Sequence, residues 1–142
     1  MRHDYLCRLG AILPKIISQG VFVTILVVDD EPLLRRLLRS MLERSGFDVD
    51  EAQDGHDALS KIRDNVPDLM IVDYMMPEMD GPDICRAVRK RQDTAHVPVI
   101  MLSARSDERM AQSSLEAGAN LCLQKPTGFK ELVANVRRLM RT

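Results

Sequence analysis

The chain is poor in cysteine, in charge of one sign and in long apolar runs, and each shortage closes off a class of protein. Cysteine occurs only at Cys7, Cys85 and Cys122 among 142 residues, with no C-x-x-C spacing. Scattered thiols of odd number form neither a disulfide framework nor a zinc site, and they fit a reducing cytoplasm. The formal net charge is −1, a balance that points to no direct nucleic-acid or membrane partner. The greasiest segment, residues 5–28, is broken by Pro14, Lys15, Gln19 and Gly20. It is too interrupted to span a bilayer, and it lacks the clean apolar centre and small-residue cleavage site of a signal peptide. Leu6, Leu9, Leu13, Ile16 and Ile17 fall at roughly helical spacing, which allows a short amphipathic helix within a loose N-terminal extension over residues 1–22.

What is present, 45% hydrophobic and 29% charged residues, suffices for one soluble domain with a real core. From Thr24 onward two periodicities alternate. Ile25–Val28 is a short β-branched run and reads as a buried strand. Pro32–Ser45 carries Leu33, Leu34, Leu37, Leu38, Met41 and Leu42 toward one expected helical face and stops at Gly46. Phe47–Glu51 is a weaker strand. After the Asp54-Gly55 turn signal, Ala58, Leu59 and Ile62 mark a second helix. Leu69–Val72 is the next buried strand, and Ile84, Cys85 and Val88 mark the helix after Gly81. Val97–Leu102 reads as a strand, residues 106–117 as a helix ending at Gly118, Leu121–Leu123 as a last short strand, and Leu132–Met140 as the final helix. Strand–helix units in unbroken succession imply an α/β domain whose parallel sheet is covered on both faces. In such sheets ligands bind beyond the carboxyl ends of the strands, where the winding reverses.

That edge collects the unusual polar residues. The first strand runs into Asp29-Asp30-Glu31, the third into Asp73, the fourth into Ser103 and the fifth into Lys125-Pro126. Singly, each has an ordinary explanation: helix-dipole complementation, a turn-forming Asp, a solvated Lys. Turn chemistry alone would not deliver all of them to one rim. Two carboxylates at 4 Å repel by about 4 kcal/mol at an effective dielectric near 20, so Asp29, Asp30 and Asp73 together call for a cation. The ligands are oxygen only, so the expected metal is hard: Mg²⁺, with Mn²⁺ as a substitute. Lys125 adds a second positive point and Ser103 a hydroxyl donor. Metal, ammonium and hydroxyl around one carboxylate make a cradle for a phosphoryl group, with Asp73 as the nucleophile that becomes an acyl phosphate.

With ILVVDDEP, LMIVDYMMPEMDG, VPVIMLSA and GANLCLQKP in this order, the chain from about residue 24 to 141 resembles the receiver domain of two-component response regulators, specifically the single-domain, chemotaxis-type receivers. The resemblance implies a flavodoxin-like, doubly wound sheet of five parallel strands in order 2-1-3-4-5 with five helices. It implies that Asp73 accepts phosphate from a histidine kinase or phosphotransfer protein. It further implies Mg²⁺ held by Asp30, Asp73 and the backbone carbonyl of Met75, with Asp29 acting partly through water. Ser103 and Lys125 would bind the phosphoryl oxygens, and the Lys125–Pro126 bond would be cis. Arg35, Arg36 and Arg39 on the first helix are expected to form a solvated face, while the resemblance adds a kinase-docking role for them. Receivers of this type commonly begin two or three residues before the first strand. Val23, which an alternative GTG codon could specify, is therefore the expected natural start of a domain over residues 23–142. No output domain follows in the sequence, so signalling is expected to run through an unidentified downstream protein in the cytoplasm, without enzymatic turnover.

The chain departs from the family pattern where a Tyr or Phe usually precedes the lysine by three positions. Cys122 stands there, and Thr127 replaces a frequent Phe. Cys cannot swing a ring between buried and exposed positions, so output is expected to use another surface or a weaker shift. Two alternatives stay open on the residues: a constitutive interaction module with a silent site, and an aspartyl-nucleophile phosphatase. The latter places its acid two residues beyond the nucleophile, where this chain has Met75.

Overall fold

Five strands alternate with five helices along the chain. They are β1 (Thr24–Val28), α1 (Pro32–Arg44), β2 (Asp48–Ala52), α2 (Gly55–Asp64) and β3 (Leu69–Asp73), then α3 (Gly81–Lys90), β4 (Val99–Ser103), α4 (Glu108–Glu116), β5 (Leu121–Gln124) and α5 (Phe129–Met140). The computed structural model describes residues 23–104 and 107–141. The helix and extension expected over residues 1–22 lie outside the described residues. All strand pairs are parallel and the order is β2-β1-β3-β4-β5, as the resemblance implies. The winding reverses between β1 and β3, so the loops after these two strands face each other at one rim.

Alternation along the strands sorts side chains into two cores. Ile25, Val27, Leu69, Ile71, Ile100 and Leu102 pack with Leu38 and Leu42 of α1 and Leu132 and Val136 of α5. Leu26, Val28, Met70, Val72 and Met101 face the other way, onto Ala58 and Ile62 of α2 and Ile84, Cys85 and Val88 of α3. Every residue of β3 and β4 is buried. Each such aliphatic side chain contributes about 1.5–3 kcal/mol, which anchors the strand ends that carry the polar residues.

Local signals set the helix ends. Pro32 opens α1, and Gly46 closes it at φ 94°, a left-handed conformation that glycine adopts without a Cβ clash. Asp54 caps α2 by accepting from the Asp57 N–H at 2.8 Å. Asp80 and Asp83 cap each other's backbone at the start of α3.

Two sequence expectations need correction. The apolar residues of α1 do not share one face: Leu38 and Leu42 are buried, whereas Leu33 and Leu37 are 77% and 55% exposed. The sheet covers only one stripe of a helix, and residues 33 and 37 lie outside the arc defined by 34, 38, 41 and 42. β4 begins at Val99, two residues later than the apolar run suggests. Pro98 cannot donate to a ladder, although its carbonyl accepts from the Met70 N–H at 2.9 Å.

Candidate functional site

Asp29 follows the last residue of β1, where its backbone N–H still donates to Ala52 O of β2 at 3.1 Å. Its side chain is buried among the loops, and Oδ1 accepts from the Glu31 N–H at 2.9 Å. Asp30 is exposed at the same turn. Asp73 is the buried last residue of β3. Carboxylate oxygens of Asp29, Asp30 and Asp73 all lie within 4.8 Å of one another. Lys125, just past β5, reaches across the rim: Nζ is 2.9 Å from Asp73 Oδ1 and 3.3 Å from Asp29 Oδ2. Its backbone N–H donates to Ser103 O at 2.6 Å, which ties the β5 end to the β4 end. The Lys125–Pro126 bond is cis, as the resemblance implies.

The electrostatics are unbalanced. Among the described residues Lys125 is the one side-chain cation paired with these carboxylates, so with all three ionised one positive charge faces three negative ones. Burial pushes the Asp73 carboxyl above the ordinary carboxylate range; the Lys125 hydrogen bond opposes this and the Asp29 charge adds to it. Burial alone would lower the Lys125 ammonium, but the hydrogen bond and charge of Asp73, with Asp29 behind them, hold it above its ordinary value. The donor set fits a hard divalent cation: carboxylate oxygens only, clustered, one of them exposed, with no imidazole or thiolate in the group. Met75, two residues beyond Asp73 in the chain, is 65% exposed.

A close approach behind Asp73 fixes its backbone. Gly81, the first residue of α3, donates its N–H to Tyr74 O at 2.8 Å. A Cβ at position 81 would lie 2.7 Å from Asp73 O and 2.4 Å from Met101 Sδ, so only glycine fits without displacement.

Ser103 ends β4 beside this group, yet its hydroxyl donates to Met110 Sδ of α4 at 3.5 Å. Cys122 pairs in register with Met101 and packs half-buried against the core under α2 and α3. Thr127 donates its hydroxyl to Glu131 Oε1 at 3.2 Å, a local bond at the start of α5. The arginines of α1 divide. Arg35 and Arg39 both bind Glu51 of β2 and are partly buried, whereas Arg36 is exposed. Glu51 does not stand out in the sequence because its strand is short and its alternation weak; its place at the end of a β-run before Asp54-Gly55 is the available signal.

Comparison with known proteins decides the family. The family described as "Response regulator receiver domain" matches residues 25–137. This chain belongs to the response regulator receiver family. The receiver is 42% identical over 119 residues to the response regulator MprA of Mycobacterium sp. (strain KMS), covering 84% of this chain and 51% of that protein. The chain thus spans about half the length of the curated relatives it matches. Among solved structures it resembles the signal receiver domain of a signal transduction histidine kinase from Syntrophus aciditrophicus, with a TM-score of 0.78 and 36% identity, covering 84% of this chain and 94% of that one. It also resembles the Vibrio cholerae chemotaxis protein CheY4, with a TM-score of 0.80 and 29% identity, covering 84% and 99%. No helix among the described residues of the receiver is long and apolar enough to cross a membrane.

Proposed function

We propose that this receiver takes a phosphoryl group onto Asp73 from a histidine kinase or phosphotransfer protein and signals by changing its protein contacts. The observation that carries this reading is the Lys125 ammonium, 2.9 Å from Asp73 and 3.3 Å from Asp29, facing a cluster of carboxylates with unspent negative charge. An Asp73 oxygen attacks phosphorus, the bond from phosphorus to the donor's imidazole nitrogen breaks, and the imidazole leaves with that electron pair. The product is a mixed anhydride at position 73. Asp29, Asp30, Asp73 and the Met75 backbone carbonyl would hold Mg²⁺. Mg²⁺ bound there would supply positive charge to the phosphoryl oxygens. Lys125 exchanges its carboxylate contacts for a phosphoryl oxygen, and Ser103 turns its hydroxyl from Met110 Sδ toward another.

The domain turns over no substrate of its own in this reading. Met75 occupies the position of a phosphatase's acid and has no proton to give. Cys85 and Cys122 are both free thiols, which supports placement in the reducing cytoplasm. The test is incubation with acetyl phosphate and Mg²⁺ followed by intact-mass measurement. The wild-type chain is expected to gain one PO₃ unit and Asp73→Ala none. Failure of the wild type to gain mass would leave a silent site, and a gain in Asp73→Ala would move the acceptor elsewhere.

A further inference from the structure

Arg35 differs from the other arginines of α1 in where its guanidinium ends. Nε donates to Glu51 Oε1 at 2.7 Å, and NH1 donates to the backbone carbonyl of Asp29 at 2.8 Å. The Arg35 side chain is 14% exposed and that of Glu51 20%. Glu51 is itself held in place. Its backbone carbonyl accepts from Lys61 Nζ, and it stands in register with Val27 of β1, so the strand holds it independently of Arg39. A fixed carboxylate on β2 therefore aims a planar fork at one peptide of the β1–α1 loop. That peptide joins Asp29 to Asp30. Its orientation sets the direction in which both acidic side chains project. The Asp29 N–H is already held by Ala52 O, so the Arg35 contact fixes the other end of the residue.

We propose that Arg35, oriented by Glu51, is a positioning residue for a divalent cation at the Asp29–Asp30–Asp73 cluster, because it locks the peptide from which two of the three carboxylates project. This rests on the reading that Mg²⁺ binds at that cluster. Charge alone predicts the opposite behaviour. A guanidinium close to a cation site repels the cation, so deleting it should tighten binding. Positioning predicts weaker binding on the same deletion, and the sign separates the two. Arg39 supplies the matched control: it shares Glu51 as partner but donates to Glu43 and Glu51, not to Asp29.

The experiment is calorimetric titration of the full chain with MgCl₂ for wild type, Arg35→Met, Arg39→Met and Asp30→Asn. Arg35→Met is expected to weaken the Mg²⁺ dissociation constant about tenfold, the scale seen when the outer partners of metal ligands are removed. Arg39→Met is expected to stay within about twofold of wild type, as for an exposed pair. Saturating Mg²⁺ is expected to return acetyl-phosphate labelling of Arg35→Met toward the wild-type rate, because the defect lies in affinity rather than in the acceptor. Should circular dichroism show Arg35→Met unfolded, Arg35→Lys replaces it; an ammonium can reach one partner but not both, and several-fold weaker binding is expected. Binding by the Arg35 variant that equals or exceeds wild type, with wild type saturating normally, overturns the positioning role alone. Absence of saturable binding in wild type, or binding unchanged in Asp30→Asn, overturns the cation site and the positioning role with it.

Discussion

The two flanks of the Asp73 rim are built to different standards. On the β1–β2 side, Asp29 is held at its N–H, its carbonyl and its side chain, by Ala52, Arg35 and Glu31 at 2.8–3.1 Å. On the β4–β5 side, the Ser103 carbonyl accepts from the Lys125 N–H at 2.6 Å, but the Ser103 hydroxyl donates to a thioether at 3.5 Å, a weak acceptor. β5 is only half-buried, whereas β3 and β4 are buried throughout. A cation site needs ligands that do not move, because each freedom must be frozen on binding. A readout needs groups that a new phosphoryl oxygen can detach at little cost. The firmer flank carries Asp29 and Asp30 and the looser one the Ser103 hydroxyl, a division that suits the proposed phosphoryl transfer.

The largest break in this contrast should come from Lys125, the side chain that spans both flanks. Lys125→Ala is expected to slow labelling by acetyl phosphate on the order of a hundredfold, the scale of losing one preorganised charge at a transferring group. Time-resolved intact mass measures it. Gly81→Ala comes next. The new methyl must displace Met101 Sδ or the Asp73 carbonyl, costing about 1–3 kcal/mol in urea unfolding and slowing labelling because the acceptor moves.

A smaller effect of opposite sign is expected from Asp73→Asn. Burial, eased by Lys125 and worsened by Asp29, raises the Asp73 carboxyl. The native state then keeps a proton that the unfolded chain has released, so stability falls as pH rises from the ordinary carboxylate value through the raised one. Without divalent cation at neutral pH, Asp73→Asn should therefore raise Tm by roughly a few degrees. The gap should shrink in acid, where both states are protonated, and on adding Mg²⁺, which is expected to stabilise the wild type more than the variant. A lower Tm for the variant at neutral pH would show that the Lys125 pairing outweighs burial. The smallest effect belongs to the loose flank: Met110→Leu keeps the apolar volume, removes the sulfur acceptor and should change stability by less than about 0.5 kcal/mol, leaving Mg²⁺ affinity untouched. A large loss would mean that this flank is as firmly tied as the other.

The strand ends are legible because apolar runs stop abruptly at Asp29, Asp73 and Ser103 and one residue before Lys125, and a parallel sheet brings such stops to one rim. What stayed hidden is set by contacts between elements. Leu33 and Leu37 look like core residues in a helical repeat, yet only the packed structure shows how narrow a stripe the sheet covers. Arg35 and Arg39 look like surface charge until β2 places Glu51 beneath them. The demand for glycine at position 81 depends on the approach of Asp73 and Met101, which no local pattern records.

The two oxygens of Asp29 have separate employments, Oδ1 toward the Glu31 amide and Oδ2 toward the Lys125 ammonium. Both neighbours are donors, so both atoms must accept. An asparagine there would turn its NH₂ toward one donor or the other in either flip. Position 29 thus calls for a side chain that accepts at both tips, which a carboxylate supplies and a carboxamide does not.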